Sequence, residues 1–295
     1  MFDNLDADDL YAELIMLRAN DTRAFILVEG SADCAVFDRF INIENFTTVP
    51  AQGKNRAQGA IERVHESDQL TAVYAVLDRD WVGLLDNGVG LQAVIYTDFY
   101  DLDACIFFAP HVYEALAASF CTDLSFRHGA AGCTREDIEA ACVNLALPVG
   151  LLRFISKRDG LALNLRDFPL AKVTSNDSSC IDLTALITLA CKRAGKEPED
   201  HPGLLTLLQA ELSRVTEKER YCSGHDLAKA FSLVAKRRWA VKAGHDVIER
   251  SARAALGRDV FEQMSIYRDC MHWAAIEGAA VWKDAPAPFQ EAHTE

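Results

Sequence analysis

Four carboxylates stand just behind apolar runs in the first third of the chain. Glu29 follows Phe25-Ile26-Leu27-Val28, Asp78 and Asp80 follow Val73-Tyr74-Ala75-Val76-Leu77, and Asp98 comes soon after Gln92-Ala93-Val94-Ile95-Tyr96. Carboxylates gathered without basic partners cannot all stay ionised unless a cation neutralises them. Ligands that are oxygen only favour Mg2+ or Mn2+ over zinc. A hard cation held this way activates water or stabilises a phosphoryl transition state. Acidic residues after strands also serve as helix caps and loop residues, so Asp78-Arg79-Asp80 alone is a weak signal. A strand-ending Glu29-Gly30 about 50 residues earlier strengthens it.

These positions matter only if the chain brings them to one place. An amphipathic helix is expected over residues 6–19, with Leu10, Leu14, Ile15 and Leu17 apolar. The short, continuous run 25–28 reads as a buried parallel strand. Ser31 is placed to cap a helix over 32–41. Thr47-Thr48-Val49 reads as a second strand, and 55–66 as a helix with Ala57, Ala60, Ile61 and Val64 inward. Residues 73–77 and 92–96 supply a third and a fourth strand. Strand and helix alternate with short connections, which predicts an α/β fold with a doubly wound parallel sheet flanked by helices. In such a sheet the carboxyl ends of the strands share one edge, where ligands bind. Residues i and i+2 of a strand face the same side, so Asp78 and Asp80 are expected to converge. From residue 104 the pattern is mainly helical, over 104–120, 134–145, 180–194, 202–213, 225–241 and 245–256. Within 150–173, Leu161-Ala162-Leu163-Asn164-Leu165 reads as an extra strand or hairpin. The expected organisation is an N-terminal helix (1–21), an α/β core (22–108), a mainly helical region (109–285) and a frayed tail (286–295).

The chain has 295 residues, half of them apolar and a quarter charged, an ordinary globular composition. Eight prolines and sixteen glycines exclude collagen-like and low-complexity character. No apolar run approaches the roughly 18 residues of a membrane span. The acidic start, Met1-Phe2-Asp3-Asn4-Leu5-Asp6, has no positive n-region, so no signal peptide is expected and the protein reads as soluble and cytoplasmic. Nine cysteines include no Cys-x-x-Cys pair, which argues against a zinc ribbon or a thioredoxin-type motif and for reduced, mostly buried thiols. The net charge of −14 argues at first against a nucleic-acid partner. It is unevenly spread: residues 1–110 hold 7 Lys/Arg against 19 Asp/Glu, while 111–295 hold 23 against 25.

Val28-Glu29-Gly30-Ser31-Ala32-Asp33 followed by Leu77-Asp78-Arg79-Asp80 resembles the Toprim domain of primases, type II topoisomerases, small RNase-maturation nucleases and OLD-type nucleases. The stretch Tyr96-Thr97-Asp98-Phe99-Tyr100-Asp101-Leu102-Asp103, with Cys222-Ser223-Gly224-His225-Asp226-Leu227 later, resembles the narrower DUF4435 branch. In that branch a Toprim-like core precedes a helical region, and members act beside an ABC-type ATPase, as in PARIS-type anti-phage defence. The Toprim resemblance covers about residues 22–108 and is the more specific of the two. It implies a Mg2+-dependent (or Mn2+-dependent) endonuclease that hydrolyses phosphodiester bonds; the resemblance to the defence effectors favours tRNA or other RNA as the substrate, with DNA nicking the alternative. The resemblance to the DUF4435 branch implies a toxic effector restrained by an ABC-type ATPase partner, and a helical region long for a scaffold around so small a core points to a homodimer when free. Glu29 then becomes the metal-associated general acid or base, Asp78 and Asp80 the metal ligands with Asp98 a further candidate ligand, and Asp33 the residue that orients the loop. Asp98, Asp101 and Asp103 match the extra acidic motif of the branch, which usually ends in Glu where this chain has Asp103.

Gly53-Lys54 lacks the flanks of a P-loop, although Lys54 is placed to meet a phosphate. Arg153, Lys157 and Arg158 are candidates for tracking a nucleic-acid backbone, as are Lys236, Arg237 and Arg238, with Trp239 beside them for stacking. Each has the ordinary reading of a solvated face or a core residue. His225-Asp226 has a candidate supporting role, or simply opens a helix; the repeat of Gly-His-Asp at 244–246 reads as coincidence. Two readings compete with a nuclease. A small-molecule phosphatase of the haloacid type carries its Asp-x-Asp after the first strand, usually followed by Gly-Thr, whereas Trp81-Val82 follows here. A non-catalytic Toprim binding module would not need the intact Glu29, Asp78 and Asp80.

Overall fold

The computed structural model describes residues 6–67, 69–121, 134–174 and 180–283; the expected tail at 286–295 and Cys133 lie outside them. Helix α1 (Ala7–Arg18) is opened by Asp6, whose side chain accepts from the N–H groups of Asp8 and Asp9. Strand β1 (Ala24–Val28) leads into α2 (Ser31–Phe37), β2 (Phe46–Pro50) into α3 (Lys54–Glu66), and β3 (Val73–Leu77) towards the short β4 (Val94–Tyr96). The sheet order is β2-β1-β3-β4 and every pairing is parallel. Every residue of the two central strands, β1 and β3, is buried, as their unbroken apolar runs require when both faces are covered. On one face Leu10 and Leu14 of α1, with Ala57, Ala60 and Ile61 of α3, close on Phe25, Leu27, Val73, Ala75 and Leu77. Each large aliphatic side chain removed from water there contributes about 1.5–3 kcal/mol.

After Asp98 the chain enters a second compact unit, Phe99–Gly257. The division falls at residue 98 rather than at the expected core boundary of 108. Helices α4 (Leu102–Phe108) and α5 (Val112–Phe120) replace the single helix expected over 104–120. Pro110 separates them because it can neither donate a helical hydrogen bond nor let the preceding residue stay helical. Helix α6 (Arg135–Arg158) runs well past the expected end at 145, through Pro148, and takes up the start of the 150–173 stretch. Leu161–Leu165 forms no strand. Helices α7 (Leu183–Arg193), α8 (Leu204–Arg214), α9 (Gly224–Trp239) and α10 (His245–Ala255) complete the unit. By length and composition α6 would cross a membrane, yet 78% of its apolar window is buried, the pattern of a core helix. Gly150 permits the close approach this needs, since a Cβ there would lie 1.9 Å from the Tyr221 carbonyl oxygen.

The chain then returns to the first unit, which the sequence reading did not anticipate. Helices α11 (Arg258–Phe261) and α12 (Ser265–Glu277) supply cover for the second face of the sheet. Phe261 stacks on Phe40 at 4.3 Å between ring centres, and Trp273 on Tyr74 of β3 at 4.7 Å. A parallel sheet needs apolar cover on both faces, and α2 with seven residues is too short to provide it alone. Of the eight described cysteines, six are buried.

Candidate functional site

Because β1 and β3 are neighbours in parallel register, their carboxyl ends lie side by side, and Glu29 and Asp78 are the residues that follow them. The Asp78 N–H donates to Glu29 Oε1 at 3.1 Å. Asp33 Oδ2 accepts the Gly30 N–H at 2.8 Å, pinning the turn between β1 and α2. From the other side the Gly53 N–H donates to the Glu29 carbonyl at 2.9 Å. Gly53 has φ +128°, a conformation side chains disfavour, and it starts α3 so that Lys54 reaches across the edge. Lys54 Nζ donates to both the Asp78 carbonyl and Asp80 Oδ2, each at 2.7 Å.

Asp78 and Asp80 do not share one extended strand as expected. Strand β3 stops at Leu77, and Asp80 has φ +45°, so the extended i, i+2 geometry does not apply. Aspartate is among the residues that tolerate this left-handed conformation. The turn is held by Arg79, whose N–H donates to Thr97 Oγ1 at 2.9 Å and whose Nε donates to the Thr97 carbonyl at 2.6 Å. Burial pushes the Glu29 carboxyl up to about 7; the Asp78 N–H opposes this, Asp80 adds to it, Lys54 lowers it and Asp33 raises it.

Asp98 is used elsewhere in the same unit. Its Oδ2 accepts the Ser265 N–H at 2.9 Å, and its Oδ1 accepts the Ser265 hydroxyl, so it anchors the start of α12. Burial raises its carboxyl above the usual range. Asp101 and Asp103 lie in the second unit. Asp101 caps α4 through the Ala104 N–H at 2.6 Å and also accepts the Gly224 N–H at 3.0 Å. Asp103 takes both arms of the Arg253 guanidinium, with Nε at 2.7 Å from Oδ1. The acidic motif at 98–103 is thus divided between a helix start, a cap and an ion pair.

Among the described residues no three His, Cys, Asp or Glu side chains form a ready metal cage. The donor chemistry of the edge nevertheless suits a hard cation. The Asp78 carbonyl and Asp80 Oδ2 already surround one positive charge, the Lys54 ammonium, at 2.7 Å. Glu29, Asp78 and Asp80 are the residues that would hold Mg2+ there, and Lys54, which sequence reasoning considered only as a phosphate contact, is its built-in counterpart.

In the second unit the Gly-His-Asp residues of 224–226 each have a partner. A Cβ on Gly224 would meet Asp103 Cβ at 2.1 Å, so only glycine lets α9 start against α4. Asp226, 1% exposed, pairs with Arg153 Nη2 at 2.7 Å. His225 Nδ1 meets Glu249 Oε1 at 2.5 Å, and its Nε2 lies 2.7 Å from Asp167 Oδ1. At the repeat, the His245 ring packs edge-on against His225 at 5.0 Å. Arg153 is therefore turned inward and does not track along a surface. Lys157 is exposed, and Arg158 is paired with Asp159 and Glu211. Lys236, Arg237 and Arg238 are exposed in the last turn of α9, with Trp239 half-buried. Glu249 and Arg253 carried no sequence signal, because their partners lie 24 and 150 residues away.

The His225–Glu249 pair predicts a pH window for stability. Hydrogen bonding to Glu249 raises His225 above 6.5, and the pairing, against the opposing effect of burial, leaves Glu249 below 4.5. The contribution of His225 is complete below about 6.5 and is lost as pH rises through its raised value; that of Glu249 is complete above about 4.5 and is lost on acidification. Asp167, Lys229, Arg253 and His245 face the same pair. Glu249→Gln is expected to lower the melting temperature most between about pH 5 and 6 and progressively less as pH rises through the raised value of His225; a drop that does not change with pH would show that the pair is not titrating as described.

The chain matches no family model and no curated protein sequence.

Proposed function

We propose that the chain is a Mg2+-dependent nuclease of Toprim type that hydrolyses phosphodiester bonds at the edge formed by Glu29, Asp78 and Asp80. The observation that carries this reading is the juxtaposition of Glu29 and the Asp78–Asp80 turn at the ends of adjacent central strands, with two of their oxygens already around a positive charge. A bound cation supplies charge for the phosphate and a more acidic water. Asp78 and Asp80 would hold it, Glu29 would take or give the proton, and Lys54 balances the Asp80 carboxylate where no cation is bound. RNA, tRNA foremost, is the substrate favoured by the resemblance to DUF4435 defence effectors, with DNA nicking second. Incubating the protein with tRNA, total RNA or plasmid DNA, in Mg2+ or in EDTA, tests this directly. Mg2+-dependent products are expected. Release of phosphate from small esters alone would favour a phosphatase, and no product from any substrate would favour a binding module in which Lys54 permanently neutralises Asp80.

Asp78→Asn and Asp80→Asn are each expected to weaken Mg2+ binding at least tenfold by calorimetry. The metal should raise the wild-type melting temperature by mass action. Binding that ignores both substitutions would place the metal elsewhere.

The same reading makes the chain a cytoplasmic toxic effector of anti-phage defence, restrained by a separate ABC-type ATPase and dimeric when free. An ungated nuclease harms its own cell, and the sequence has no P-loop to act as a switch. Light scattering of the free protein is expected to give twice the chain mass, and co-expression with the ATPase an inactive complex. A monomer that the ATPase does not retain would remove this regulatory part.

A further inference from the structure

Within the second unit a cavity of about 460 Å3 opens beside the start of α9, lined by Tyr100, Arg153, Arg166, Asp167, Ser223 and His225. Arg153 uses Nη2 for Asp226 and the Leu165 carbonyl, but its Nη1 is buried without any hydrogen-bond partner. A buried guanidinium nitrogen left unpaired is uncommon, and it calls for an acceptor. His225 is held at Nδ1 by Glu249, which leaves Nε2 towards Asp167. Asp167 Oδ1 is 2.7 Å away, yet Nε2 makes no aligned hydrogen bond with it. The Asp167 side chain is 66% exposed, and its φ of +49° is one that few residues with side chains adopt. Its carboxylate thus occupies the place of an anionic oxygen, facing His225 and, at 3.7 Å, Lys229.

We propose that this cavity binds a phosphate group, with Arg153 Nη1, His225 Nε2 and Arg166 as its donors and Asp167 as the internal anion it replaces. The planar guanidinium matches phosphate geometry better than a point charge. With Asp167 displaced and His225 protonated, the four cations Arg153, Arg166, His225 and Lys229 face Asp226, Glu249 and, at Arg153, Asp101, which still leaves an excess of positive charge. A second cavity of about 500 Å3 shares Asp167 and offers apolar wall from Phe168, Leu170 and Leu233, room for the organic part of a phosphate ester of nucleotide size. The phosphate belongs either to a free nucleotide or to a nucleic-acid strand. The inference stands on residues of this unit alone and does not require that the Glu29 edge be catalytic.

The test is binding in EDTA, by calorimetry and thermal shift, with inorganic phosphate, AMP and a short single-stranded RNA as probes. Saturable binding of AMP is expected if the ligand is a free nucleotide, and of RNA alone if it is a strand. Either must persist in Glu29→Ala. Arg153→Lys keeps a charge opposite Asp226 but removes the Nη1 donor, and is expected to weaken binding at least tenfold. Arg166→Ala, at an exposed position, should weaken it severalfold without disturbing the fold, and Asp167→Ala should strengthen it severalfold. Absence of saturable binding by all three probes overturns the proposal. So does binding that is unchanged in Arg166→Ala and Asp167→Ala.

Discussion

Glu29→Ala is expected to lower Mg2+-dependent cleavage at least 100-fold while shifting the melting temperature by only a few degrees. A positioned acid–base group contributes about 100- to 10,000-fold to such a reaction, so its loss dominates the rate. The structural consequence is small for three reasons. Glu29 lies past the end of β1 and is half-buried, so truncation opens no core cavity. The side-chain hydrogen bond lost among the described residues, from the Asp78 N–H, has a net value of about 1 kcal/mol. Removing a carboxylate also relieves its repulsion with Asp80 and Asp33. Glu29→Gln keeps an acceptor for the Asp78 N–H and should be equally inactive, which separates loss of chemistry from loss of the turn. Full activity of the alanine variant, measured by gel assay beside a circular dichroism melt, would remove Glu29 from the site.

The second large effect concerns stability. Arg153→Ala strands the Asp226 carboxylate, which is 1% exposed and has the guanidinium at 2.7 Å. Breaking a buried ion pair by removing one partner costs about 3–5 kcal/mol, because the remaining charge stays desolvated. For a protein of this size that lowers the melting temperature by about 10 °C. The paired replacement Arg153→Met with Asp226→Leu is expected to recover most of the loss, since neither charge is then buried alone. A single variant that melts within 2 °C of wild type, or a double variant no better than the single, would show that the pair is solvated in solution.

The central strands were legible because burial on both faces demands continuous apolar residues, and 25–28 and 73–77 are the unbroken runs found at β1 and β3. The opening helix and α3 followed from apolar spacing, and their boundaries hold within a residue or so. Less local signals failed. Pro110 split a helix expected to be continuous, while Pro148 did not stop α6. The spacing of Ile266, Cys270, Trp273 and Ala274 suits one face of a helix. Nothing local tells that this helix belongs with Tyr74, almost 200 residues earlier.

For the candidate site, residue type and strand position were enough to single out Glu29, Asp78 and Asp80. The chemistry proposed for them depends on being acidic and on following a buried strand, and both properties are written locally. Which carboxylates stay with them depends on competition for partners across the fold. Asp98 is claimed by Ser265, Asp101 by two helix starts and Asp103 by Arg253, and Lys54 arrives at the edge only because Gly53 turns the chain there. A hydrogen bond to a residue 150 positions away leaves no mark on the composition or periodicity of either segment. The sequence by itself determined an α/β sheet with an acidic edge; only the tertiary structure decided which acids remain at that edge, because each is held by the nearest donor the fold brings to it.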